Sequence, residues 1–528
     1  MVRFLENNSG FNSWSARQDA STKKSNFTGF IWWVVIFLLA WWLFSSWLGP
    51  KKATAPADSE SSNPAVESIQ PSVAPINFTT DNLNFVIHGP RISQVQLNDF
   101  EQNVKGDEKV KLLGSDNEFA EIGMLATGTN APDAATVWKT HSGSPLVMTW
   151  RNSDGVDFTR TIAVKNYVIS ITDEIKNNGA RDFSISPYAR IVQKPGVNIA
   201  GVATGGVAFE NDGVTRESWK NVGKKSYAWT TPAGFVGFEE QYWQTIASSD
   251  AADQTIKIKP LADGRLQAET SAAAIAVPAG KTITITTNLF AGPKTPETLK
   301  AAATSIHGIE QTIDYGWFWF LSRPFLWALN ALYSLVANYG IAIILLTIII
   351  RILMWPLTRK SFTGMAAMQK MQPEMQRIQK LYANDKVRMQ TEMMRLYKES
   401  KTSPMSGCLP MLLQIPIFFA LYKALLIAAQ MRHAGFLWIH DLSVMDPYFI
   451  LPILMGATMW FQQKLQTANT NSAANPNDPM AQTQKMMKWM PLLFTALFAW
   501  MPAGLVLYWT VSNIFGIGQM WWIKRNSK

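Results

Sequence analysis

The sequence holds one cysteine, Cys408, in 528 residues. An intrachain disulfide is therefore excluded, and any exported domain must stand on its core alone. The five histidines (His88, His141, His307, His433, His440) are dispersed, and the chain has no H-E-x-x-H, G-x-S-x-G or G-x-x-x-x-G-K-[ST] motif. Metalloprotease, serine-hydrolase and nucleotide-driven chemistry thus have no visible carrier. No internal repeat is present. Asp and Glu are missing from every long apolar run, where a proton- or sodium-coupled transporter would place them.

What is present is charge segregation. Residues 51–314 carry 24 Lys/Arg and 29 Asp/Glu, whereas the rest carries 24 Lys/Arg and 9 Asp/Glu together with most of the 22 tryptophans. The mean hydropathy of −0.01 averages over these two textures. An acidic middle between basic, aromatic ends predicts a membrane protein with basic loops in the cytosol. The net charge of +10 therefore gives no specific nucleic-acid site.

The run 30–48 (FIWWVVIFLLAWWLFSSWL) is uncharged and about long enough for a ~30 Å hydrocarbon layer. A signal peptide would be shorter and closer to the start, so a retained transmembrane anchor is expected after a cytosolic tail, 1–29. Residues 49–76, rich in Pro, Ala and Ser, read as a flexible tether. Over 77–305, alternating runs such as TRTIAVKNYVISITDEIKNNG and AGKTITITTNLFAGP predict an antiparallel sandwich, with Ile283 and Ile285 on one face. Residues 313–335 (IDYGWFWFLSRPFLWALNALYSL) predict an amphipathic interfacial helix, with Pro324 in its first turn and Trp317, Trp319 and Trp327 at the membrane surface.

Five more spans are expected at 336–357, 408–429, 447–463, 489–502 and 505–523, the last two joined by MPAG in a tight hairpin. The segment 358–406 has ten Lys/Arg and four Asp/Glu, whereas 430–446 has one Arg and two Asp. The first is then cytosolic and the second external. The loop 464–488 and the tail 524–528 fall inside, both termini are cytosolic, and the β-domain lies outside. The fold class is a multi-pass α-helical membrane protein, six transmembrane helices with five forming the core, plus an all-β exported domain. In the cytosolic loop, Met368, Met371, Met375, Ile378 and Tyr382 make a heptad-like stripe. Asn384 and Asp385 turn the chain, and Met389, Met393 and Leu396 return. This seam either packs two helices together or offers a soft surface to apolar segments.

Arg351 stands inside GIAIILLTIIIRILMWPLT, eight residues before Arg359, or about 12 Å along a straight helix. It either snorkels to inner phosphates or faces a wet cavity between spans. With no carboxylate in any span it has no intramembrane ion-pair partner. Thr347 shares its helix face, and Gln414, Ser512 and Asn513, with Gln462 and Gln463, add polarity to other spans. Singly such residues are helix–helix hydrogen bonds; together they fit a hydrophilic groove open to the cytosol. Lys423 is an unexpected charge within the third span, expected to snorkel outward.

The ordered motifs RILMWPLTRKSF, QPEMQRIQ, GCLPMLLQIPIFFALYKAL, FLWIHDLSVMDPYFILPILMG and MPAGLVLYWTVSN resemble those of the YidC family of membrane protein insertases in its Gram-negative form. The resemblance covers nearly the whole chain. It implies a non-enzymatic insertase and chaperone of the bacterial inner membrane, without cofactor, with a periplasmic β-supersandwich. It implies that Arg351, Thr347, Gln414, Tyr508, Trp509, Ser512 and Asn513 line a substrate groove, and that Phe418, Phe494 and Phe498 line a hydrophobic exit. Trp509 stands where relatives often carry a second tyrosine. Implied partners are nascent membrane proteins, the Sec translocon with its accessory membrane subunits, the ribosome through the cytosolic loops, and membrane lipids. A secondary transporter or channel using the same polar cavity is the alternative.

Overall fold

A computed structural model describes residues 73–115, 117–141, 143–199, 201–400, 409–467 and 488–526, all within the compact unit Pro56–Lys528. The expected tail 1–29, the anchor 30–48, most of the tether and most of the loop 464–488 lie outside the described residues.

Among the described residues nineteen strands form two antiparallel sheets: β1 (Ile76–Thr79), β2 (Leu83–His88), β3 (Arg91–Glu101), β4 (Lys109–Leu112), β5 (Phe119–Thr127), β6 (Lys139–His141), β7 (Leu146–Arg151), β8 (Val156–Lys165), β9 (Val168–Asn177), β10 (Phe183–Gln193), β11 (Gly205–Glu210), β12 (Gly213–Ser218), β13 (Tyr227–Thr231), β14 (Phe235–Glu239), β15 (Trp243–Ser249), β16 (Gln254–Pro260), β17 (Leu266–Ala272), β18 (Ile275–Val277) and β19 (Thr282–Pro293). The ten-stranded sheet has the order β1-β2-β3-β5-β10-β17-β16-β13, with β18 on β10 and β4 on β3. The nine-stranded sheet has the order β12-β11-β14-β15-β19-β9-β8-β7-β6. Side-chain alternation explains the layering: Leu83, Phe85 and Ile87 of β2 (Leu83–His88) point inward while the residues between them are half exposed. The run beginning at Thr159 falls on β8 (Val156–Lys165) and β9 (Val168–Asn177), as alternation predicts. They are joined by Asn166 and Tyr167, with φ of 49° and 66°, the doubly left-handed turn that matches strand twist.

The β-domain core also contains charge. Arg160 on β8 stands directly opposite Asp173 on β9. It makes two hydrogen bonds of 2.7 and 2.8 Å to that carboxylate and one of 3.3 Å to the Ile122 carbonyl in the other sheet. The two residues are only 5% and 7% exposed. Removing one partner strands the other without water, so Asp173→Ala is expected to cost about 3–5 kcal/mol of stability. Urea unfolding of the whole protein, followed by the circular dichroism of its strands, measures this. A loss below about 1 kcal/mol, the range of an exposed pair, would contradict it.

After β19 come α1 (Pro296–Ala302) and a 3-10 turn, Ile309–Thr312. Then follow α2 (Trp319–Val336), α3 (Tyr339–Leu353), α4 (Trp355–Lys370), α5 (Gln372–Leu381) and α6 (Lys386–Glu399). The last group is α7 (Leu409–Ile427), α8 (Ile450–Thr467), α9 (Met490–Phe498) and α10 (Ala503–Asn526). In α2, Ser322, Leu326 and Leu329 face inward at spacings of four and three. Trp319, Phe320, Trp327 and Leu335 are exposed. The helix starts at Trp319, so Pro324 lies in its second turn and not its first, and the carbonyl four residues back loses a donor.

The expected straight span 336–357 is broken. Ala337, at φ 50°, ends α2, and Asn338 caps α3 by accepting the Ile341 amide at 3.1 Å. Pro356 has no N–H for the helix before it and suits the start of the helix after it, so α3 and α4 meet at Met354 with a 60° bend. Arg351 therefore lies in the last turn of α3, and the 12 Å measured along one axis does not hold. Among the described residues no single helix is long and apolar enough to cross a membrane; α3 with the first part of α4 reaches that length as a bent pair.

Helix α10 lies centrally, packed on α8, α3 and α7, and α2 packs on α3 and α7. The expected tight hairpin of the last two helices is open. Between α9 and α10 the contact is made by rings, with Phe494 and Phe498 centred 5.9 and 5.2 Å from Trp509. Side chains of that width keep the two backbones apart.

Candidate functional site

The polar residues picked from the sequence divide into two groups. Arg351 donates through Nε to Ser512 Oγ at 2.8 Å, and its Nη2 donates to the same oxygen. One turn earlier on the same face of α10 is Tyr508, whose hydroxyl accepts from Gln414 Nε2 at 2.5 Å. Arg351, Ser512, Tyr508 and Gln414 thus bring α3, α10 and α7 together around one line of hydrogen bonds. Tyr508 and Ser512 are 1% and 3% exposed, whereas Arg351 remains half-buried. Among the described residues no carboxylate pairs with Arg351, whose side chain donates to a neutral hydroxyl, so none of them cancels its positive charge.

The other polar residues are committed elsewhere. Thr347 donates to the Ile343 carbonyl of its own helix at 2.7 Å and is 1% exposed. Asn513 turns to α8, where its amide stands 3.3 Å from Thr458 Oγ1 and 3.4 Å from the Met455 carbonyl. Gln462 lies against α10 where Gly516 leaves room; a Cβ there would stand 3.0 Å from its amide nitrogen.

Trp509, grouped with the polar residues from sequence, packs with the aromatics instead. Its ring lies 5.1 Å from Phe418, edge-on, and against Phe494 and Phe498, while Phe418 and Phe498 lie 5.9 Å apart. Adjacent residues of α10 thus serve opposite chemistries: Tyr508 continues the polar line, and Trp509 closes an apolar cluster between α7 and α9. Rings at 5–6 Å and tilted angles are the favoured geometry for such clusters.

Lys423 does not snorkel. It is 8% exposed, and its Nζ donates to Asp314 Oδ2 and to the Gly201 carbonyl, each at 2.6 Å. Burial disfavours the Asp314 carboxylate, but Lys423 and then the Gly316 amide outweigh it and hold the carboxyl below its ordinary value. The pair thus contributes fully above the ordinary carboxyl range and is lost only as pH falls below it. Sequence spacing missed this pairing because its members lie 109 residues apart. Among the described residues no group of three His, Cys, Asp or Glu could hold a metal ion.

Comparison with known proteins gives the family. The family described as "YidC periplasmic domain" matches residues 75–328, and the family described as "60Kd inner membrane protein" matches residues 331–528. The membrane protein insertase YidC of Magnetococcus marinus is 34% identical over 456 residues, covering 80% of this chain and 78% of its own. The chain belongs to the YidC family. The YidC insertase of Mannheimia succiniciproducens is 39% identical over 382 residues, covering 70% of this chain and 68% of its own. A crystal structure of an active YidC insertase with its first transmembrane domain resolved aligns over 85% of this chain and 94% of its own, at 18% identity and a TM-score of 0.37. The boundary between the two YidC matches falls inside α2, so the β-domain and the helical region correspond to the two recognised parts of the family.

Proposed function

We infer that this chain, as a YidC-family protein, is an inner-membrane insertase and not an enzyme, with its β-domain in the periplasm. It crosses the membrane six times with both termini inside. The groove at Arg351 receives the hydrophilic tail of an incoming protein, while the cluster of Phe418, Phe494, Phe498 and Trp509 marks where the apolar segment leaves for lipid. Clients arrive from ribosomes at the cytosolic loops, alone or through the Sec translocon.

The observation that carries this reading is the charge of Arg351, which no carboxylate among the described residues meets, held by Ser512 and placed beside an aromatic cluster on the same helices. No covalent step is needed. Moving a polar tail is opposed by desolvation, and a polar, positively charged recess at the bend of α3 shortens the dry path for acidic tails. Burying the client's apolar helix, at about 25 cal/mol per Å², supplies the downhill step. An acidic tail moving outward, away from an interior at negative potential, is itself driven by about 2.3 kcal/mol per charge per 100 mV.

Purified protein in lipid vesicles is expected to insert a single-span membrane protein without Sec components, seen as protease protection of its tail. Solute uptake by the same vesicles without any insertion would favour the transporter alternative.

A further inference from the structure

The β-domain is not merely appended to the helices. Hydrogen bonds join it to the end of α7 and the loop that follows. Lys423 reaches the Gly201 carbonyl and Asp314, Gln241 Nε2 donates to the Leu426 carbonyl at 3.0 Å, and Arg432 donates to the carbonyls of Glu101 and Gln102. The first is a built seat. Gly316, at φ 72°, lets the chain pass under the Lys423 stem, where a Cβ would stand 3.1 Å from its Cγ. Gly201, at φ 78°, lies against Tyr422 and Leu426 and presents its carbonyl to the ammonium.

The seat is also tied inward. Arg216 donates to the carbonyls of Gln311 and Thr312, just before Asp314, and to Glu239, which Lys294 also contacts at 2.7 Å. Glu239 is 1% exposed on β14 (Phe235–Glu239). The ion pairs at Glu239 and at Asp314, joined through the backbone that Arg216 holds, thus tie the interior strand β14 to α7.

We propose that Lys423 and Asp314 are a positioning pair: they fix α7 to the β-domain and so hold Gln414 against Tyr508 and Phe418 against Trp509. The reason lies in α7 itself. Pro416, which lies between Gln414 and Lys423, has no N–H for the carbonyl four residues back, and such breaks are where helices bend. The outer part of α7 then needs an outside fastening. Phe418 lies only about 7.5 Å along the axis from Lys423, so a shift at the seat moves the aromatic cluster directly.

This inference rests on the insertase reading, and its test separates the two. In full-length protein with Cys408→Ser, spin labels are placed at Val137 on the β-domain and Val444 in the outer loop, both well exposed. The expected result is one narrow distance band in the parent. Lys423→Met and Asp314→Asn each broaden it, and the double variant broadens it no further, because either change alone removes the pair. Insertion of a neutral-tailed single-span client, per molecule of protein, falls severalfold in the same variants. Lys423→Arg, which keeps the charge, restores part of both readouts. If Lys423→Met does not accumulate, Asp314→Asn carries the test, since its amide oxygen still accepts from Gly316. A band that stays narrow in the single variants, or one that broadens while insertion is unchanged, overturns the proposal. Absence of insertion by the parent would instead sink the insertase reading, and the distances would still decide whether the joint exists.

Discussion

Arg351→Ala is expected to lower the insertion of a Sec-independent client with an acidic translocated tail by roughly tenfold, and to spare the same client with a neutral tail. Tenfold corresponds to about 1.4 kcal/mol. That is a fraction of the ~4 kcal/mol attraction between unit charges 4 Å apart near a protein surface, leaving room for incomplete desolvation and distance. The structure refines which variants discriminate. Ser512 holds the guanidinium through two nitrogens, so Arg351→Lys weakens that hold while keeping the sign of the charge. If attraction of acidic tails is the mechanism, Lys retains most activity, and Ser512→Ala, which leaves the charge in place, costs little. If the geometry of the hydrogen bonds is what matters, Ser512→Ala and Arg351→Lys are as damaging as Arg351→Ala. Vesicles carrying equal amounts of each variant, with client tails that differ only in their Asp and Glu content, give the answer. Equal losses for acidic and neutral tails would reject the electrostatic mechanism.

How far this site could be read from sequence depends on which residues set it. Arg351 was legible because a lone cation in an apolar run is costly whatever surrounds it. Its actual partner was not: Ser512, Asn513 and Thr347 looked equivalent as small polar residues, and only the rotation of α10 separates Ser512, facing α3, from Asn513, facing α8. The same rotation moves Trp509 from the polar group to the aromatic one. In the β-domain, alternation alone located β8, β9 and β19, since a two-residue period is a local property of the chain. Pairing of strands distant in sequence, such as β10 with β5, had no local signature. The break at Met354 was within reach of the sequence, because Pro356 carries it; the continuity of the apolar run concealed it. Lys423 shows the opposite case, where the residue drew notice and its partner, in a different domain, could not be found.

The hairpin of α5 and α6 leads to the remaining large effect. Helices α5 and α6 are ten and fourteen residues long, a length at which isolated helices are marginal in water. Asp385 caps α6 through the Arg388 amide at 3.0 Å, and the pairs Arg377–Glu374, Arg395–Glu392 and Arg395–Glu399 lie on exposed surface. Such exposed pairs, screened by solvent, add little to the hold between the helices. Of the methionine seam, Met375 is fully buried at 3% exposure, whereas Met389, Met393 and Leu396 are half-buried, and Leu381, Val387 and Met394 are exposed at 57–76%. The exposed apolar side chains Leu381, Val387 and Met394 leave surface that the hairpin itself does not cover. Flexible thioether side chains adapt to apolar segments of differing shape, which suits early capture of many clients. Deleting residues 365–400 is therefore expected to leave the β-domain and the helices around α10 folded, since their cores lie elsewhere, and to abolish crosslinking of a ribosome-bound apolar nascent chain. Met375→Ala separates the two uses of the seam. It should loosen the hairpin by the ~2–5 kcal/mol typical of a buried methionine while leaving the exposed capture surface intact. Capture lost in the deletion and largely kept in Met375→Ala would mark the exposed face as the contact, and capture unchanged in the deletion would remove the hairpin from the insertion pathway altogether.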